Sequence, residues 1–266
     1  MIRRTAATVA VVVVASAAAI AIQLVSVSDE IAIGKQAQAE IRRKTPELND
    51  SMVRDYVSRI GRQLAAHARG AKYPYSFSVA NYREINAFAL PGGPVWVNRG
   101  AIQAAGNEAQ LAAVLAHEVA HVAQRHSAQQ LSNAMVTNLG LNLLGALLGN
   151  SGGATAASIA ARYVASGAFL KFSRDDEREA DRVGAQILSR SGWDPRGMIE
   201  LLQTIREQEK RDPSSVEVFL SDHPSSAERI ARLQQAIPRG TGKRDSAQFQ
   251  SVRARLRSLP PARSMK

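Results

Sequence analysis

A chain of 266 residues, 45% hydrophobic and 21% charged, holds enough apolar material for one substantial core and is excluded from the intrinsically disordered class. It has no cysteine, which excludes disulfides, thiolate metal sites, cysteine nucleophiles and lipoprotein anchoring. The formal charge of +11 raises nucleic acid or anionic lipid as partners, but eight Lys/Arg stand against the single acid Asp245 between Arg239 and Lys266, so much of the excess belongs to one terminal stretch.

In chain order, Arg3 and Arg4 precede an almost unbroken apolar run from Thr5 to Val27, closed by Asp29 and Glu30. A positive segment before an apolar one is the pattern of an export signal, with Ala19-Ile20-Ala21 as a small-x-small cleavage site. The 23 residues of the run also suffice to span a bilayer if retained. Residues 1–28 are expected to be a signal peptide or an uncleaved membrane anchor. Either way the rest of the chain is exported, periplasmic or held at the bacterial inner membrane outside the cytoplasm.

Residues 29–70 show helical spacing of Ile31, Ile41, Met52, Val53, Tyr56, Val57, Ile60 and Leu64, split by Pro46 and ended by Gly70. Alternation at Tyr75, Phe77 and Val79 predicts a strand. Two more short strands are predicted between Asn86 and Asn98, around the turn Pro91-Gly92-Gly93-Pro94. Asn107 is placed to cap a helix running through Leu111, Leu115 and Val119 towards Leu131. Residues 131–149 are apolar with polar interruptions, and fit a buried helix or a flap beside a cleft better than a second span. Ser173 and Asp176 form a capping-box pattern that opens a helix ended by Gly192. Asp194-Pro195 opens the next helix, and Pro224 a last one containing Ile230 and Leu233. Residues 238–266, basic and carrying Pro260-Pro261, are expected to form a solvated, partly disordered tail, and no nucleic-acid partner is expected. Strands followed by helices indicate an α+β fold, mainly helical, with the folded domain over 29–237.

The chemistry centres on His117-Glu118-Val119-Ala120-His121. Two histidines four apart on a helix lie about 40° apart around its axis and one turn apart along it, so both imidazoles reach one metal ion. Glu118 lies on the neighbouring face, placed to hydrogen-bond a water at that ion without ligating it. His126, nine residues after His117, is expected on the opposite side of the helix. Its five-residue distance from His121, with Gln124 in place of a glycine, excludes the HExxHxxGxxH pattern. Zinc needs a third protein ligand and an open position. Glu177 and Asp181, four apart at the start of the Ser173 helix, share a face, and either can supply that ligand; Glu179 points away.

HEVAHVAQRH followed by EREAD resembles metallopeptidase family 48, which includes the CAAX prenyl endopeptidases, HtpX and BepA-like periplasmic proteases. The similarity covers roughly residues 30–237. Asn86 to Gly93 resembles the family's stretch ahead of the active helix, and His223-Pro224 with Arg229 resembles its HPxxxxR element. The resemblance implies a zincin fold of gluzincin type with a small sheet beside the HExxH helix. It implies one Zn2+ per chain held by His117, His121 and Glu177, with Asp181 supporting a ligand histidine. Glu118 would be the general base, and His223 and Arg229 would contact the oxyanion or gate the metal. A peptide substrate would lie extended along the strand that begins at Asn86 and Ala87. The activity implied is zinc-dependent endopeptidase, acting on proteins or peptides such as misfolded envelope proteins. The alternative is a latent protease that works mainly as a client-binding quality-control module.

Overall fold

The computed structural model describes residues 25–133, 171–224, 227–237 and 241–265. Of the export signal or anchor expected over residues 1–28, residues 1–24 lie outside the described residues, as do residues 134–149 of the apolar stretch 131–149. Among the described residues no helix is long and apolar enough to cross a membrane.

Helix α1 (Val27–Lys44) begins with a capping box between Ser26 and Asp29 and ends at Arg42, Arg43 and Lys44. Acid at its first turn and base at its last both complement the helix dipole. After the predicted break at Pro46, α2 (Ser51–Ala65) is capped by the Asp50 side chain and buries Val53, Tyr56, Val57, Ile60 and Leu64. Three strands follow, β1 (Ser76–Ala80), β2 (Ala87–Ala89) and β3 (Pro94–Asn98), in the order β1-β3-β2. The β1/β3 pair is parallel, with Phe77 opposite Val95. The β2/β3 pair is antiparallel, with Phe88 opposite Trp96. The turn joining β2 to β3 needs Gly92 and Gly93 at φ 75° and 121°, backbone that other residues rarely adopt.

A short helix, α3 (Arg99–Ala104), leads to α4 (Glu108–Ala123), capped by Asn107 as the sequence indicated. Every residue of α4 is buried, because α2, β2 and two later helices surround it. A helix apolar all round is a core helix, and this one carries the HExxH motif. It does not run on to Leu131: Arg125 takes a left-handed backbone (φ 62°), and the chain turns before helical residues 126–133.

The capping box at Ser173 opens α5 (Arg174–Arg190), followed by α6 (Gly197–Arg211). Gly184 lets α5 close onto α4, since a Cβ there would lie 3.3 Å from Ala116 O and His117 N. A single turn at Pro213–Ser215, α7 (Glu217–Asp222) and α8 (Ala227–Ala236) complete the surroundings of α4.

The C-terminal stretch corrects the expectation of a solvated tail. Residues 247–258 form α9 (Ala247–Ser258), which buries Phe249, Val252 and Leu256 against the core cluster that includes α2. The three apolar residues recur at helical spacing on one face, while Arg253, Arg255 and Arg257 account for the basic character. Phe249 stacks on Tyr56, and Arg255 Nε donates to Asp50 at 2.8 Å. Buried Arg99 donates to the carbonyls of Leu256 and Pro260, satisfying groups that a helix end leaves open. Residues 263–265 then run beside Tyr82 to Glu84, whose carboxylate accepts from Ser264 Oγ and the Met265 amide.

Candidate metal centre

Successive turns of α4 present His117 and His121, with Nε2 atoms 3.0 Å apart. Helix α5 delivers Glu177 to them: its carboxylate oxygens lie 3.4 Å from His117 Nε2 and 3.4 Å from His121 Nε2. His223, at the C-terminal end of α7, places Nδ1 2.9 Å from Glu177 Oε1 and 3.4 Å from His117 Nε2. These four side chains are all buried, and each offers a donor atom within 4.8 Å of the others. For a tetrahedral ion with bonds of about 2.0–2.1 Å, neighbouring donors stand roughly 3.3–3.4 Å apart. The spacings of 2.9–3.4 Å from the three histidines to one or other Glu177 oxygen, and from His117 to His121 and His223, are close to those edges, so the four side chains converge on one point.

Charge points the same way. The buried carboxylates of Glu118, Glu177 and Asp181 face one buried guanidinium, Arg229, an excess of negative charge that a divalent cation would balance. Burial works against a charged His117, but Glu177 and Asp181 outweigh it and raise its pKa to about 10. The proton that His117 then carries is what a metal ion must displace. Burial also opposes ionisation of Glu177, yet His223 and His117 hold its pKa well below the usual carboxylate range. His121, buried with charged neighbours of both signs, is pushed well below the ordinary imidazole value and stays neutral, as a ligand must.

Asp181 lies one turn beyond Glu177. Its Oδ1 is 3.3 Å from His117 Nδ1, and both its oxygens accept from Arg229 at 2.7 Å. Arg229 also reaches Glu177 Oε2 at 2.6 Å. One guanidinium therefore fixes both carboxylates of α5, and it stands behind the donor cluster.

Glu118 is fully buried and neither carboxylate oxygen has a hydrogen-bond partner among the described residues. Burial raises its pKa, opposed by the fields of His223 and His117. Its Oε1 lies 3.7 Å from His223 Nε2. A desolvated, unpartnered carboxylate beside a donor cluster is poised to exchange a proton with whatever enters.

Residues 51–237 match Peptidase family M48. The chain belongs to that family. It is 34% identical over 213 residues to the beta-barrel assembly-enhancing protease of Escherichia coli K12, an alignment covering 77% of this chain and 43% of the relative. It is 32% identical to the protease of the same name from Yersinia pestis, over 86% of this chain and 49% of that one. It is also 31% identical to the mitochondrial metalloendopeptidase OMA1 of Schizosaccharomyces pombe, over 80% and 63% of the two chains. The chain thus spans less than half the length of the first two relatives. The M48 chain has a zincin fold, with the HExxH histidines on the buried helix α4.

Of the M48 site residues expected from sequence, the fold brings His117, Glu118, His121, Glu177, Asp181, His223 and Arg229 into one buried cluster. Asn86 and Ala87 lie apart from it, at the start of β2 beside α4. The sequence pattern leaves one neighbour unmarked and puts another on the wrong side. Phe172 stacks on His121 with ring centroids 3.8 Å apart, and nothing in its local pattern marks it. His126, expected on the far side of the helix, instead lies with Nδ1 2.9 Å from His121 Nδ1, because the turn at Arg125 reverses it.

Proposed function

We propose that this M48 chain is a zinc endopeptidase in which Glu118 is the general base, on the strength of one observation above others. The donors of His117, His121, Glu177 and His223 all lie within 4.8 Å of one another, with the buried carboxylate of Glu118 beside them. Imidazole donors with one carboxylate suit zinc among the common divalent ions. Bound there, zinc would polarise water and the scissile carbonyl. Glu118 accepts the proton of the attacking water and returns it to the leaving amine, and its raised pKa suits both halves of that task. Asp181 orients His117 through Nδ1, and Arg229 orients Asp181 and Glu177 rather than meeting the oxyanion.

The edge strand β2 supports an extended substrate. Asn98 donates to the Asn86 carbonyl, and Leu90 donates to that of Pro94, so residues 86, 88 and 90 turn their backbone groups towards β3. Alternation then turns the backbone groups of Ala87 and Ala89 away from β3; both residues are buried, so a peptide adding there as a further strand must first displace what covers them. Of the two residues expected to meet substrate, Ala87 is the one with backbone groups to offer. An Ala87→Pro variant, which lacks that amide, is expected to lose cleavage while keeping its melting temperature and zinc content; unchanged cleavage would remove β2 from substrate binding.

His223 favours a second reading, a closed resting state. Its Nδ1 takes the corner that a water or substrate oxygen would need, so opening requires this imidazole to leave. In the closed state the protein would act mainly by holding clients. Export and action on misfolded envelope proteins are supported by Arg3-Arg4 ahead of the apolar run, and by similarity to proteases named for β-barrel assembly. The test is proteolysis of casein by the full chain, before and after removal of metal by a chelator and restoration with zinc. Cleavage lost and regained with zinc is expected, and cleavage indifferent to the chelator would refute the proposal.

A further inference from the structure

The turn that ends α4 reaches into the metal centre. Continued as a helix, the chain would carry His126 to the side of α4 opposite His117. Arg125 prevents this. Its left-handed backbone is held by its own side chain, which donates from Nε to Glu30 Oε1 at 2.7 Å and from Nη2 to Val25 O at 2.6 Å. His126 folds back until its ring centroid is 4.9 Å from that of His121, and it is 2% exposed.

The contact between the two rings joins Nδ1 to Nδ1 at 2.9 Å, while Nε2 of His121 faces His117 and Glu177. An imidazole that offers Nε2 to a metal carries its proton on Nδ1. His121 must then donate, and His126 Nδ1 must accept. With Nδ1 accepting, His126 carries its proton on Nε2, which faces Glu179 Oε2 at 3.5 Å and Asp176 Oδ1 at 3.9 Å. The order carboxylate, His126, His121 parallels the pairing of Asp181 with His117 on the other ligand.

We propose that His126 is a positioning residue of the metal centre, fixing the tautomer and ring orientation of His121 through the bond between their Nδ1 atoms. The proposal rests on His117, His121 and Glu177 being the metal ligands. Partners of ligand histidines set metal affinity by about 10–100-fold, so the effect is readable without any substrate.

The test measures zinc affinity of the full chain by competition with a chromophoric chelator, and the visible absorption of the cobalt-substituted protein. His126→Phe keeps a ring without an acceptor, whereas His126→Asn returns an acceptor oxygen near the place of Nδ1. The expected result is zinc binding weakened by about 10–100-fold with altered cobalt bands in His126→Phe, and both restored in His126→Asn. Thermal unfolding of the metal-free proteins checks folding, and His126→Leu replaces the Phe variant should that one not fold. Wild-type affinity and bands in the ring variant would overturn the proposal, as would an Asn variant as weak as the Phe variant. A folded wild type that binds no zinc would instead overturn the metal-site reading on which the proposal rests.

Discussion

Arg229 shows how much of this site depends on residues that need not touch a substrate. It is 4% exposed and bridges two buried carboxylates, so truncating it strands both Asp181 and Glu177 without their counter-charge. Removing one partner of a buried ion pair typically costs about 3–5 kcal/mol. Arg229→Ala is expected to lose that much in urea unfolding of the metal-free protein; a loss below about 1 kcal/mol, the range of a surface pair, would show the network to be structurally idle. The sequence carried most of this cluster. HExxH spacing puts two histidines on one face and a glutamate beside them from helix geometry alone, and Glu177 and Asp181 share a face by the same arithmetic. Geometry left the choice between those two open, and the resemblance to metallopeptidase family 48 made it. In the structure Glu177 lies against both histidines while Asp181 pairs with His117 and Arg229. His126 and Phe172 were illegible, because their places follow from one left-handed residue and from chain segments brought together only by folding.

At the scale of elements, local patterns served well at several boundaries. Asn107 and Ser173 cap α4 and α5, and the Gly92-Gly93 turn joins β2 to β3, whereas α6 starts beyond Asp194 with Arg196 at its N-cap and no side-chain bond there. Charge misled at the C-terminus. Arginines drew attention to solvation, while Phe249, Val252 and Leu256 formed a helical stripe that decides the placement of α9. Its attachment uses two carboxylates with lowered pKa values. Burial alone would raise Asp50 and Glu84, but Arg255 and the Val53 amide lower the first below its ordinary 3.8. Ser264 and the Met265 amide are among the groups that lower the second below its ordinary 4.5. A carboxylate whose folded pKa is depressed contributes stability above its ordinary value and loses it as pH falls through the folded one. Protection of residues 247–265 in hydrogen exchange is therefore expected to be level from pH 7 to about 5 and to fall below about pH 4. Protection that declines first near pH 6 would point to other groups.

For the whole molecule, the core is organised around a helix that is buried on every side and still carries the polar side chains of His117, Glu118 and His121. Burying such groups is unfavourable unless they are paired. Here ion pairs link His117, His121, Glu177, Asp181, His223 and Arg229, while among the described residues His117 Nδ1, His223 Nε2 and both oxygens of Glu118 are left without a hydrogen bond. The stretch matching family M48 ends at residue 237, yet α9 and residues 263–265 close over α2, α3 and the start of the sheet, so the folded unit is wider than the match. The account's central claim is that this core houses a metal-dependent peptidase run by Glu118. The most direct measurement compares casein cleavage by wild type, His223→Ala and the pair of variants carrying Glu118→Gln in each background, with zinc content determined for all four. The account predicts cleavage by His223→Ala at least as fast as by wild type, and its loss in both Glu118→Gln proteins at unchanged zinc content. Undiminished cleavage by the Glu118→Gln proteins, or none by any folded, zinc-loaded form, would contradict it.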